Sequence, residues 1–492
     1  MVVTNQLKNQ HLLWRAGFGP MAEDLDQLAG ASQKSYFQAL SKASRKSPEY
    51  LDLADNYLKG LLMGIDEVGR QQKKQLNDEE KKKLRQGSRE SIKSLNIAWL
   101  NEMVNSEAQL REKMSLFWHG HFASRNLNIL YQQQLLDVIR RNALGNFGDL
   151  LKEVSKSAAM INFLNNNQNR KDHPNENFAR EVMELFTMGR GNYSEEDVKE
   201  AARAFTGWGA NLKGDFIFRK PLHDAGQKTF LGKTGNFDGD EVLDILLEQK
   251  VTAEFITKKI YRYFVNEQPD QDKIKWLASK FYQSNYDIHA LMQDIFTSDW
   301  FYSEKNIGAR IKSPVELLVG IRRILPMQLQ NEEVLLLVQR LLGQILFYPP
   351  NVAGWPGGKS WIDSSSLMFR LRLPQLIHED EAINLWPKTD DDQQMGMTEE
   401  MKVNQKGNKG MQTANKLMKQ QIIADINWQL YINQFAKLPK EKLVSGITQA
   451  LLQTPSAVSQ QLLEQQADKE SREGFIKTVT IALMATPEYQ LC

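Results

Sequence analysis

Apolar residues recur at three- and four-residue intervals through most of the chain, the repeat of helices that bury one face. From about Leu7 to Asn105 the repeat is carried by Tyr36, Leu40, Tyr50, Leu53, Tyr57, Leu58 and Leu61. It continues from about Leu95 to Trp208, where His, Asn, Arg and Trp become frequent. The pattern then changes briefly. Phe216-Ile217-Phe218-Arg219 and Lys228-Thr229-Phe230-Leu231 flank a turn-prone stretch around Pro221, His223 and Gly226, as the arms of a small hairpin would. Helical spacing returns from Gly239 to Leu325, with an aromatic group at Trp300, Phe301 and Tyr302.

Three prolines and three glycines disfavour regular structure between Phe347 and Asp363, while Trp355 and Trp361 favour burial, so an ordered, packed loop is expected there. Pro387 to Lys416 has few large apolar groups and reads as a mobile linker. Leu417 to Cys492 is helical again, and its closing ALMATPEYQ faintly echoes DIFTSDWFY at Asp294–Tyr302. The expected fold is mainly α, a bundle-like array of many helices with a small β-hairpin insertion near 216–231. It divides into an N-terminal helical region (1–112), a central domain (113–386), the linker (387–416) and C-terminal helices (417–492) packing back on the main body.

Bulk properties narrow the function only by exclusion. At 492 residues the chain has room for more than one core. Its 62 basic residues balance 60 acidic ones, which argues against nucleic acid as a partner. Alternating charge from Gln71 to Lys93 reads as a solvated helix laced with near-neighbour ion pairs. The single cysteine, Cys492, leaves no internal disulfide. No run approaches the roughly 20 apolar residues of a membrane span, and MVVTNQLKNQHLLWRAGFGP lacks the basic-then-apolar pattern of a secretory signal, so a cytoplasmic location is expected.

Three segments carry candidate chemistry. In LFWHGHFAS, His119 and His121 form a His-x-His pair that chelates a metal on an extended chain. On a helix the two rings point about 200° apart, and Gly120 between them leaves the geometry open. In HPNENFAREVMELFTMGRGNYSEEDVKEAARAFTGW, Pro174, Asn175 and Asn177 announce a helix that buries Phe178, Val182, Leu185 and Phe186. Arg180, Glu181 and Glu184 gather on a neighbouring face, as metal-binding carboxylates do in helical bundles or as surface ion pairs do elsewhere. Ser194 and Asp197 resemble a capping box for the next helix. In PLHDAGQKTFLG, His223 beside Asp224 offers a ligand or an oriented base, or else an exposed turn. Together with His173, these segments hold four of the chain's seven histidines within about a hundred residues.

HLLWRAGFGP, FWHGHFAS, PNENFAREVMELFTMG, YSEEDVKEAARAFTGW, HDAGQKTFLG, IKSPVEL and LGQILFYPPNVAGWPGGKSWI, taken in order, resemble the bacterial DUF1800 family. The resemblance runs from about His11 to Arg370 and more faintly to the closing TPEYQ. It implies a helical fold and a site near these motifs, frequent export, and a sulfatase- or phosphatase-like partner protein encoded alongside. The chain departs from the family pattern at three places. Trp118-His119-Gly120-His121 stands for Trp-His-Asn-His, Ser157-Ala158-Ala159-Met160 for Asp-Pro-Ala-Met, and Leu164-Asn165-Asn166 for Leu-Asp-Asn.

Two functional expectations follow. The first is a metal- or ligand-dependent hydrolase or transferase. Its metal ligands, to a divalent ion, would be His119, His121, Glu181, Glu184 and His223. Glu181 would serve as base, Arg180 as the group holding the glutamates or an anion, and Asp224 as the residue orienting His223. The second is a non-catalytic helical scaffold or binding protein that docks a partner protein, in which the same polar motifs are buried hydrogen-bond networks that fix helix packing.

Overall fold

A computed structural model describes residues 2–25, 27–56, 59–60, 78–211, 213–381, 383 and 421–492. Tyr57, Leu58, Leu61 and all of the 387–416 linker region lie outside the described residues. The architecture is mainly α-helical, with only three small two-stranded antiparallel sheets among the described residues. The charged stretch enters a long helix, Asp78–Asn105. No described helix is long and apolar enough to cross a membrane.

The Gln109–His121 helix lies at the centre, and every residue of it except Gly120 is buried. A helix sequestered on all sides must satisfy its own polar groups internally. Glu112 does so with Arg140, whose Nε and Nη2 approach its carboxylate at 2.9–3.2 Å, and with the Trp99 indole N–H at 3.0 Å. Lys113 pairs with the equally buried Glu316 at 2.5 Å and donates to the Trp14 carbonyl. Glu316 also caps its own helix, accepting the Ser313 N–H at 2.7 Å. Removing one partner of such a pair would strand a buried charge, at a cost of about 3–5 kcal/mol.

Two apolar cores flank this helix. One is built from Leu12 through Tyr302 and includes Trp118, Phe122, Phe147, Phe186 and Phe264. The other joins N-terminal residues such as Leu13 and Phe18 to Val319, Phe347, Ile447 and Leu483. A short antiparallel pairing of Met327–Leu329 with Ala424–Ile426 ties the 421–492 segment to the body.

The β signal near 216–231 is present as hairpin insertions, but the two expected arms do not pair with each other. Phe216–Phe218 pairs with Trp208–Ala210, and Lys228–Phe230 pairs with Lys233–Gly235. The tight turn falls at Leu231 (φ 48°) and Gly232 (φ 79°), two left-handed residues in succession, as the two-residue hairpin turn matching strand twist requires. The Pro221 region is instead a single 3-10 turn, Lys220–Leu222.

Candidate functional site

The motif around Phe178 forms a helical hairpin. Asn175 accepts the Asn177 N–H at the start of the Asn177–Glu181 helix, which continues as a π-helix over Val182–Thr187 and ends at left-handed Gly189. The capping box forms: the Ser194 N–H donates to Asp197 at 2.9 Å, and the Asp197 N–H donates to Ser194 Oγ at 3.2 Å. A π-helical turn is rare and is frequent at functional sites. Its last carbonyls lack helical partners. Two of them are met from other helices: His121 Nε2–H donates to the Phe186 carbonyl at 3.2 Å and Lys259 Nζ to the Leu185 carbonyl at 3.0 Å.

The predicted site residues are distributed over separate places. His119 and His121 lie on a helix, so their rings diverge. His119 Nε2 accepts the Phe347 backbone N–H at 3.1 Å, and burial pushes its pKa down to about 3. His121 meets Lys259, with Nδ1 3.1 Å from Nζ; burial, then the nearby ammonium, hold its pKa well below the usual value. Arg180 pairs with Glu195 at 2.7 Å and Glu176 at 3.1 Å. Glu184 accepts from Arg190 and from the Tyr193 hydroxyl at 2.9 Å. Partial burial, reinforced by Glu184, raises the Glu181 pKa. His223 Nδ1 approaches the Thr206 carbonyl at 3.0 Å, and Asp224 receives Arg203 Nε at 2.7 Å, which holds its carboxyl below the usual range. His173 is exposed. Among the described residues, no three of His, Cys, Asp and Glu come together in a way that could hold a metal ion.

What does converge is a cleft of about 250 Å³ at the C-terminal end of the Gln109–His121 helix. His121 and Gly120 form one wall, and Lys259, Arg262 and Tyr263 of the Lys250–Phe264 helix form another. Arg310, Trp361 and Trp355 of the Pro/Gly loop line it as well. That loop is pinned at its middle. The Trp355 ring packs on His119 at 5.4 Å, and left-handed Gly354 sits so close to the Gly120 carbonyl that a Cβ would fall 2.3 Å from it.

Electrostatically the cleft is cationic. Lys259, Arg262 and Arg310 face it against one carboxylate, Glu267. Exposed Arg262 has no ion pair among the described residues, and Arg310 reaches Glu316 only at 3.5 Å. Burial pushes the Lys259 pKa down to about 8. Two lining groups, the Tyr263 hydroxyl and the Trp355 indole N–H, are buried without a hydrogen-bond partner. Both atoms are therefore open to a hydrogen bond with a ligand or an ordered water in the cleft.

The sequence marked the Trp loop and His121 but not Lys259, Arg262, Tyr263 or Arg310. The one local signal is positional: residues 259, 262 and 263 share a face at i, i+3, i+4 beside the buried Ile256, Ile260 and Phe264.

A family model described as "Protein of unknown function (DUF1800)" matches residues 11–491. The chain belongs to the DUF1800 family. No curated protein and no solved structure matches it. Two of this DUF1800 chain's departures from the resemblance have a structural explanation. Ser157 caps the Ala158–Phe163 helix, accepting the Met160 N–H at 3.3 Å, a role Ser and Asp fill about equally. Asn165 occupies a left-handed position (φ 58°), which short amides tolerate. Gly120 is different: it lines the cleft, and nothing lies within 4 Å of where a Cβ would stand.

Proposed function

We propose that this DUF1800 protein binds a small anionic ligand, bearing a carboxylate, phosphate or sulfate group, in the cleft between His121, Lys259 and the Trp355 loop. The observation that carries the reading is the concentration of three cationic side chains and two unpartnered buried donors around one cavity with a single carboxylate. Guanidinium and ammonium groups recognise such anions directly, and an unpaired Tyr O–H or Trp N–H supplies orientation. Of the two broad expectations, ligand dependence is the one this geometry supports. A metal on the predicted ligands would need His119, His121, Glu184 and His223 to leave the partners described above.

The scaffold reading draws on a specific observation of its own: the motif side chains His119, Arg180, Glu184 and Asp224 are occupied by backbone or ionic partners. The experiment that separates the two is a thermal-shift titration with inorganic phosphate, sulfate and acetate. The anion reading expects a saturable rise in melting temperature that Arg262→Gln weakens. No response to any anion would leave the scaffold reading.

A further inference from the structure

The amine of Lys259 occupies an unusual chemical position in the cleft. Its nitrogen has two hydrogen-bond acceptors, the Leu185 carbonyl at 3.0 Å and His121 Nδ1 at 3.1 Å. No carboxylate pairs with it among the described residues. His121 Nε2–H is committed to the Phe186 carbonyl, so Nδ1 is the bare, accepting nitrogen of a neutral ring. A neutral primary amine has two N–H groups and one lone pair. In that form both N–H groups are taken and the lone pair is left over, whereas the ammonium carries a third N–H and lies 4.8 Å from the Phe255 ring.

We infer that Lys259 is a nucleophile toward small 2-oxo carboxylates, forming an imine with a substrate held in this cleft. The inference rests on reading the cleft as an anion site: Arg262 and Arg310 would take the carboxylate, and the unpartnered Tyr263 hydroxyl would donate to the carbonyl oxygen. Burial raises the Tyr263 pKa well above normal, so the phenol keeps the proton it must donate. Desolvation without a countercharge is the usual way a lysine becomes a nucleophile at neutral pH. A pKa of about 8 leaves Lys259 with roughly two hundredfold more free amine at neutral pH than an ordinary surface lysine.

The step balances without any oxidant or reductant. The nitrogen lone pair adds to the carbonyl carbon, a C–N bond forms as the C–O π bond breaks, and a proton passes from nitrogen to oxygen. The carbinolamine then loses that oxygen as water: the nitrogen pair forms the C=N bond as the C–O bond breaks, and the nitrogen's second proton leaves with the hydroxyl, giving the imine of Lys259.

The test is reductive trapping on the full-length protein. Pyruvate is added with cyanoborohydride, which converts an imine to a stable secondary amine, and the modified lysines are mapped by peptide mass spectrometry. Lactate, the same carboxylate without a carbonyl, is titrated in parallel by thermal shift. The expected result is an adduct concentrated at Lys259, forming faster as pH rises through about 8 and absent from Lys259→Arg. The wild-type map stands by itself if that variant does not fold. Stabilisation by lactate with no enrichment at Lys259 would overturn the imine while keeping the anion site. Labelling spread over exposed lysines, with no response to lactate, would overturn both.

Discussion

Lys259 Nζ lies 3.1 Å from His121 Nδ1, and the two residues also hold adjacent carbonyls, Leu185 and Phe186, at the end of one π-helical turn. The pair therefore joins three elements: the central Gln109–His121 helix, the Lys250–Phe264 helix and the hairpin of the Phe178 motif. A cation at a helix C-terminus is favoured by the dipole, which gives Lys259 a packing role whether or not a ligand is bound. His121→Ala should accordingly destabilise the protein by about 2–4 kcal/mol, through the lost ring volume and two stranded polar partners. Urea unfolding measures this, and a loss below ~0.5 kcal/mol would show that the pair does not hold the junction.

His119 serves the neighbouring loop. Its acceptance of the Phe347 N–H fixes a bulky residue at φ 70°, a left-handed conformation that non-glycine residues rarely adopt. His119→Ala should cost about 2–4 kcal/mol and loosen the Trp355 loop, while His119→Gln, which can still accept, should recover part of the loss. Equal damage from both variants would assign the effect to ring packing alone, here against Trp99, Phe347 and Trp355.

Gly120 supports a prediction of opposite sign. It sits inside a helix with open space at its Cβ position. Gly120→Ala should therefore stabilise the protein by about 0.5–1 kcal/mol, the helix-propensity difference. A destabilising Gly120→Ala would mean that the cleft wall is tighter than this geometry shows.

Acid should unfold the chain earlier than its carboxylates alone require. His11, His119 and His121 are all buried with pKa values well below 6.5, His119 near 3. Below pH 6.5 the unfolded chain binds protons that the folded chain refuses, so stability falls as pH drops. Each such histidine contributes a slope of about 1.4 kcal/mol per pH unit, continuing for His119 until the folded value is reached. Chemical unfolding between pH 7.5 and 4.5 reads the slope, and a flat profile over pH 6.5–5 would contradict the burial of neutral rings.

Local features of this architecture were legible in the sequence, and the cleft was not. The Ser194–Asp197 capping box, the glycine stop after the Phe178 helix and the packed tryptophan loop follow from residues close together in the chain. Strand pairing was harder to read because the turn signal at Pro221 competes with the left-handed Leu231-Gly232 step, which decides the register. His-x-His is ambiguous until the backbone is known, and here the helix separates the rings. Lys259 and Arg310 come from helices and loops more than a hundred residues beyond His121, so no local pattern announces that they share a cavity with it.

The most direct test of the anion site is isothermal titration of wild-type protein and two variants with the best-binding anion of the phosphate, sulfate and acetate set. Arg262→Gln removes a charge from the cleft, and Gly120→Leu fills it without touching a charge. The anion site predicts one saturable event per chain, weakened about tenfold or more by Arg262→Gln, reduced by added salt, and blocked by Gly120→Leu with the fold retained. Binding that is unchanged in both folded variants would contradict it.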